Sequence, residues 1–150
     1  MTARRLGALA AILYAVSWCV PVIETHGDLL SGRSLGWQAF LFAVSPLFGN
    51  DMDGHPLQLA WMVSSALTNA VLVVTLGLLY WRQELLSFAV AWVLVGAALV
   101  NAGWLLLPTM PRDLRLGYYL WLFAFVVGAA ATRLALHQRT AEAGNGAAAA

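Results

Sequence analysis

Two short clusters of histidine and carboxylate side chains are the residues of this sequence best suited to chemistry. They are Glu24, His26 and Asp28 after one long apolar run, and Asp51, Asp53 and His55 before the next. Imidazole and carboxylate groups together suit zinc, manganese or copper, and they can also act as a general acid and base. The spacing is neither His-Glu-x-x-His nor a calcium-binding loop, and Asp beside Gly is an ordinary turn composition. Two interpretations stay open: a metal or catalytic site, and a solvated loop.

The chain that carries these clusters has the composition of a membrane protein. Of its 150 residues, 61% are hydrophobic and 10% are charged, whereas soluble domains average about 45–50% and about 25%. The net charge of +1 gives no basic surface for nucleic acid. Cys19 is the single cysteine, so an intrachain disulfide is excluded. The sequence therefore predicts an integral membrane protein.

Four apolar runs predict membrane-spanning helices, each of which needs about 20 residues. They cover residues 6–23, 57–81, 85–107 and 117–136. The first also resembles a signal peptide, because Arg4 and Arg5 precede it and Ala15-Val16-Ser17 fits a cleavage site. Its length favours an uncleaved helix.

A fifth apolar run, at residues 35–48, is too short to cross the bilayer. Pro46 limits its far end. The run predicts an interfacial or re-entrant helix in the first outer loop. Because its apolar residues surround the helix instead of forming a stripe, we expect it to be buried against the other helices.

The arginines orient the four-span arrangement. Five of them fall on one side, namely Arg4, Arg5, Arg82, Arg133 and Arg139, and three on the other, namely Arg33, Arg112 and Arg115. Since basic residues favour the cytoplasmic side, we predict both termini in the cytoplasm and a location in a bacterial inner membrane.

Aromatic residues at the outer ends of the spans predict an interfacial belt: Trp61, Trp104, Tyr118, Tyr119 and Trp121. The predicted fold is an all-α four-transmembrane-helix bundle at residues 1–139, followed by a disordered tail at 140–150.

Polar residues inside the spans are few. None of the spans carries a charge near its middle, which argues against proton relays and ion-coupled transport. Asn69 and Asn101 lie within spans, and an unbonded amide in hydrocarbon is costly. We expect each to bond another polar group, with a polar ligand pathway as the minority alternative.

Small residues recur every four positions on two spans, a spacing that predicts close helix packing. They are Gly7, Ala11, Ala15 and Cys19 on the first span, and Ala124, Gly128 and Thr132 on the last. We expect these faces to pack within the chain, with an oligomer interface as the alternative.

Three segments give the chain a resemblance to a group of uncharacterised small bacterial four-span integral membrane proteins. They are residues 36–41 (GWQAFL), the Ala60-Trp61 pair with the later Asn69, and residues 117–122 (GYYLWL). The resemblance implies the four-span architecture and no particular activity.

These observations predict a protein without enzymatic activity or cofactor, which acts through contact with another membrane protein or with copies of itself. It would then be an accessory or assembly subunit. One alternative is an immunity-type protein that neutralises a membrane-targeting toxin. The other is a metal-binding or enzymatic site in the outer loop, formed by Glu24, His26, Asp51, Asp53 and His55.

Overall fold

The structure, a computed structural model, is mostly helical. It describes residues 2–25, 32–48, 56–106 and 110–148. The helices are α1 (Ala3–Cys19), α2 (Gly36–Val44), α3 (Pro56–Trp81), α4 (Phe88–Ala102), α5 (Met110–Asp113) and α6 (Leu116–Ala148). The strands are β1 (Pro21–Thr25) and β2 (Gly32–Leu35), and short 3-10 turns cover Ser45–Phe48, Gln83–Leu85 and Gly103–Leu106.

Within the described residues, three helices are long and apolar enough to cross a membrane: Pro56–Trp81, Phe88–Leu106 and Leu116–Gly144. The predicted second, third and fourth spans are thus confirmed as apolar helices of spanning length. The third begins at Phe88 instead of residue 85, because the chain first makes a 3-10 turn. Ser87 then caps α4, its hydroxyl accepting a hydrogen bond from the backbone N–H of Val90.

The first predicted span, residues 6–23, differs from the structure. Helix α1 ends at Cys19, and Val20 is already extended with φ −113° and ψ 158°. Pro21 explains the end, because proline has no N–H for the helix and disfavours helical backbone in the residue before it. The 17 residues of α1 cover about 25 Å, somewhat less than the apolar thickness of about 30 Å.

Helix α1 lies antiparallel along α6. Ala3 packs in one cluster with Ala131 and Ala135, in the second half of α6. At the other end of α1, the backbone of Val20 and Pro21 lies against Gly117, in the first turn of α6. Helix α6 also packs along α4, so it lies at the centre of the described fold.

The molecule has two distinct ends. At the first, which we call the arginine end, the Tyr80 hydroxyl donates to the Arg4 carbonyl (3.1 Å), and the Arg139 guanidinium donates to the Gln83 carbonyl (2.9 Å). At the other, the hairpin end, β1 pairs antiparallel with β2. The backbone N–H of Arg115 donates to the Val22 carbonyl (2.8 Å) and adds the segment before α6 to this small sheet.

Helix α2 and its following turn confirm a short helix within residues 35–48, but the expected burial is only partial. None of the α2 residues is buried. One face packs on α1, where Phe40 contacts Trp18 with ring centroids 5.3 Å apart. The opposite face exposes large apolar side chains, including Leu41 and Phe42. The helix is too short to place neighbours on all its sides, so one apolar side is left uncovered.

The small-residue prediction is confirmed on α6 and is wrong in detail on α1. Ala124, Gly128 and Thr132 are all buried. On α1, however, the buried residues are Ala3, Gly7, Ala10 and Ser17, while Ala15 and Cys19 are exposed. A four-residue step drifts by about 40° around a helix of 3.6 residues per turn, so a stripe from Gly7 to Cys19 turns away from a straight partner.

The tail also differs from its prediction. Residues 140–148 continue α6 as helix instead of forming a disordered tail. Extending an existing helix needs no new nucleus, and the alanines of this segment favour helix while Gly144 and Gly146 oppose it. Residues 141–144 are exposed, so this extension depends on local propensity without packing.

Candidate functional site

Of the five predicted metal or catalytic residues, the structure describes Glu24 alone. His26, Asp51, Asp53 and His55 lie outside the described residues, as does Asp28. Glu24 accepts a hydrogen bond from Arg115 and forms a second ion pair with Arg33 (3.6 Å). Within residues 2–25, 32–48, 56–106 and 110–148, no three His, Cys, Asp or Glu side chains are grouped to hold a metal. Glu24 therefore ties the hairpin to the segment before α6, and the metal site remains a prediction.

An apolar cavity of about 160 Å³ lies at the hairpin end. Its walls come from α1, β1, α2, α3, the 3-10 turn before α5, Leu114 and the first turns of α6. Six of the lining side chains are aromatic: Trp18, Phe40, Phe42, Trp104, Tyr118 and Trp121. Ligand pockets characteristically combine such apolar walls with a few polar groups, so this cavity is the candidate functional site.

One face of α3 forms the longest wall of the cavity. Gln58, Met62, Ala66 and Asn69 line it and recur at the three- and four-residue steps that keep side chains on one face of a helix. From Gln58 to Asn69 the wall extends for about 16 Å at 1.5 Å per residue. The cavity is therefore bordered by α3 from near its first turn to about its middle.

The hairpin closes the cavity at the end of the bundle. Val22, Ile23 and Leu114 line the cavity, and Val22 and Leu114 are buried. The ion-paired side chains of Glu24, Arg33 and Arg115 are not among the lining residues. The sheet thus presents apolar side chains to the cavity and carries its charged pairs elsewhere, as an amphipathic cap does.

A hydrogen-bonded network borders the cavity between α3 and α4. The side chain of Asn101 is fully buried, and its amide oxygen accepts from the Ser65 hydroxyl (2.8 Å). Its amide nitrogen donates to the Thr68 hydroxyl (3.0 Å), and the Trp104 indole donates to Ser65 (3.2 Å). The predicted pairing of Asn101 with another polar group is confirmed.

Asn69 is held by α6 and by its own helix. Its amide nitrogen donates to the Ala66 carbonyl (2.9 Å), and its amide oxygen accepts from the Trp121 indole (2.8 Å). The Tyr118 hydroxyl donates to the Asn101 carbonyl (2.7 Å). The pairing prediction is therefore confirmed for Asn69 as well.

Sequence reasoning missed the inward role of three aromatic residues. Trp104, Tyr118 and Trp121 were predicted in an interfacial belt, yet Tyr118 is 2% exposed and all three donate hydrogen bonds within the bundle. The sequence feature that points to this role is the pair of asparagines within spans, because a buried amide in hydrocarbon needs hydrogen-bond partners from neighbouring helices.

The chemistry of this site suits binding. Every buried polar side-chain atom of the described residues has a hydrogen-bond partner. The Ser65 hydroxyl donates to an amide oxygen, which is not a base that could activate it for nucleophilic attack. An apolar cavity of about 150 Å³ stays dry and takes up a molecule the size of benzene.

No protein-family model, curated protein or solved structure matches this chain.

Proposed function

We propose that this chain is a non-enzymatic membrane protein that binds an apolar molecule from the bilayer in the hairpin-end cavity. The observation that carries the proposal is the cavity itself, aromatic-walled and about 160 Å³ in volume. The buried polar groups beside it are committed to internal hydrogen bonds, so they stiffen the walls and are not free to react. A rigid apolar cavity gains affinity because it loses little freedom when it is filled.

Filling the cavity with protein tests this proposal. Ala39 lines the cavity from α2, and Ala39→Phe should occupy the space of a ligand. We expect native mass spectrometry of the protein in mild detergent to show a bound lipid-mass adduct that Ala39→Phe loses. Ala130→Phe is the matched control, because Ala130 is exposed on α6, and it should keep the adduct. An adduct that survives in Ala39→Phe, or a wild-type protein without one, would contradict the proposal.

The same protein is proposed to cross a bacterial inner membrane four times, with the arginine end in the cytoplasm. Support comes from the packing of α1 along α6, a helix long enough to span. The arginine end also brings Arg4, Arg82 and Arg139 together, as expected of a cytoplasmic side.

Cysteine accessibility tests the topology. In a Cys19→Ser background, we expect Arg112→Cys to react with an impermeant maleimide in intact spheroplasts. Gln138→Cys and Thr2→Cys should react only after permeabilisation, since both should lie in the cytoplasm. If both Thr2→Cys and Arg112→Cys react in intact spheroplasts, α1 does not cross the bilayer. If Gln138→Cys reacts before permeabilisation, the orientation is the opposite of the proposed one.

A second candidate is the accessory or assembly subunit that the sequence predicts, with another membrane protein or a second copy as partner. The outward face of α2 and its turn favours this role. It presents Trp37, Leu41, Phe42 and Phe48, each at least 44% exposed. Aromatic residues are enriched at protein interfaces, and this face is available to a neighbouring transmembrane helix.

Complex size in mild detergent tests the accessory role. We expect a wild-type assembly larger than one chain, which the double variant Leu41→Ala/Phe48→Ala, at two exposed residues that do not line the cavity, reduces to the single chain. Phe123→Ala is the control, since Phe123 is 54% exposed on α6, away from α2. A wild-type protein that migrates alone as a monomer would count against the accessory role and leave the cavity proposal in place.

A further inference from the structure

The cavity opens toward the side of the bundle between α2 and α3. Of its eighteen lining residues, two are exposed, Phe42 on α2 and Gln58 on α3. At the end of the bundle the hairpin and Leu114 close it, and Val22 and Leu114 there are at most 8% exposed. Among the described residues, the side left open is therefore the lateral one between α2 and α3, and α3 is long enough to span a membrane.

The dimensions of the cavity favour a hydrocarbon chain as its ligand. Its volume of about 160 Å³ is below the roughly 300–1,000 Å³ of pockets for drug-sized molecules. The α3 residues that border it nevertheless extend for about 16 Å. A long, narrow apolar space fits a single hydrocarbon chain better than a compact, branched or fused-ring molecule.

Among the residues that the structure describes, Gln58 supplies the polar group at the opening. It is exposed, it lines the cavity near the first turn of α3, and among the described residues no hydrogen bond is made by its amide. The amide both donates and accepts, and it carries no charge. It therefore complements a hydroxyl or an ester carbonyl at the end of the chain, and the lining residues include no cationic side chain to pair with a carboxylate or phosphate.

We infer that the cavity binds one hydrocarbon chain of a lipid, and that Gln58 hydrogen-bonds a neutral hydroxyl or ester carbonyl at the mouth. This inference rests on the proposed function. Two sources share the chemistry, a single-chain alcohol or ester and an acyl chain of a two-chain phospholipid. The deep part of the chain lies beside Met62 and Ala66, which are 7% and 4% exposed.

Photolabelling in bilayers tests the ligand class. The probes are a fatty alcohol, the matching fatty acid and a phosphatidylcholine, each with a diazirine in the middle of the chain. Label at Met62 and Ala66 reports the cavity, whereas label at Leu67, which is 58% exposed on the same helix, reports ordinary lipid contact. We expect either the fatty alcohol or the phosphatidylcholine to label Met62 and Ala66. The probe that labels them shows whether the bound chain belongs to a single-chain lipid or to a two-chain phospholipid.

Gln58→Leu tests the hydrogen bond. It should reduce labelling of Met62 and Ala66 by the neutral probe about fivefold, the change expected for one neutral hydrogen bond, and leave Leu67 labelling unchanged. Equal labelling in Gln58→Leu, or a preference for the fatty acid, overturns the inference and leaves cavity binding intact. Cavity labelling that persists in both Ala39→Phe and Ala43→Phe overturns the proposed function itself. Size-exclusion profiles matching wild type establish that each variant is folded.

Discussion

Replacing Gly36 with alanine is expected to lower the thermal unfolding temperature by about 2–12 °C, a large effect for one methyl group. A Cβ at Gly36 would lie 2.7 Å from the Trp18 Cα and 3.0 Å from the Ser17 carbonyl carbon. These are backbone atoms, so a rotamer change cannot relieve the overlap. Overpacking of this kind costs about 1–3 kcal/mol, and each kcal/mol shifts the midpoint of a chain this size by about 2–4 °C.

Gly117→Ala should behave in the same way, because a Cβ there would lie 2.7 Å from the Pro21 carbonyl oxygen. The two glycines hold the junction between α1 and β1 from both sides. Gly96→Ala is the control: a Cβ added to Gly96, in α4, would have no heavy atom of the other described elements within 4 Å. It should be neutral or stabilising by up to about 1 kcal/mol, since alanine is the better helix former. Equal destabilisation by Gly36→Ala and Gly96→Ala would contradict the packing described here.

The second large effect is expected for Asn101→Leu, which should destabilise the fold by about 2–3 kcal/mol. The leucine roughly keeps the volume but leaves the buried Ser65 hydroxyl without its acceptor and removes the amide donor to Thr68. Hydrogen bonds between transmembrane helices average only about 0.6 kcal/mol. Here most of the loss comes from the buried Ser65 hydroxyl, whose proton loses its acceptor while its oxygen still accepts from the Trp104 indole, at a cost of about 1–3 kcal/mol.

Two comparisons separate the cost of the unpaired hydroxyl from simple loss of contact. Thr68→Val keeps the bond between Ser65 and Asn101 but leaves the buried Asn101 amide nitrogen without its acceptor, so it measures the cost of an unpaired amide, about 1–3 kcal/mol, beside that of the unpaired hydroxyl. Adding Ser65→Ala to Asn101→Leu should recover part of the stability, since the unsatisfied hydroxyl is then gone. Reversible unfolding in mixed detergent micelles measures Asn101→Leu, Thr68→Val, Ser65→Ala, the double variant Ser65→Ala/Asn101→Leu and the wild-type protein. Strictly additive losses in the double variant would show that the network has no cooperative role.

Hydropathy and length predicted three of the helices well, because a spanning segment needs a long apolar run whatever it packs against. Hydropathy extends the first span to residue 23, past the observed end of α1, because Val22 and Ile23 are as apolar as the helix before them. Pro21 and the pairing with β2 take them into a strand. Hydropathy gives the total length of an apolar run, and local stereochemistry decides where within it the helix ends.

Less of the candidate site than of the fold could be predicted from the sequence. Residue types alone pointed to chemistry in the outer loop through Glu24 and the neighbouring histidines, whereas Glu24 forms ion pairs with Arg33 and Arg115. The need for partners at Asn69 and Asn101 followed from the cost of burying an amide. Which residues supply them depends on helix rotation and register, and Trp121 lies 52 positions away from Asn69. Only the assembled bundle shows that these partners also line a cavity.

Binding of a bilayer molecule in the cavity is tested most directly by the ratio of photolabel at Met62 and Ala66 to that at Leu67. The measurement uses wild-type protein in phosphatidylcholine bilayers that contain the diazirine fatty alcohol and, separately, the diazirine phosphatidylcholine. We predict label at the two buried positions comparable to that at exposed Leu67, and its loss in Ala39→Phe with Leu67 unaffected. Strong labelling of Leu67 with none at Met62 or Ala66 from either probe would contradict ligand binding in this cavity.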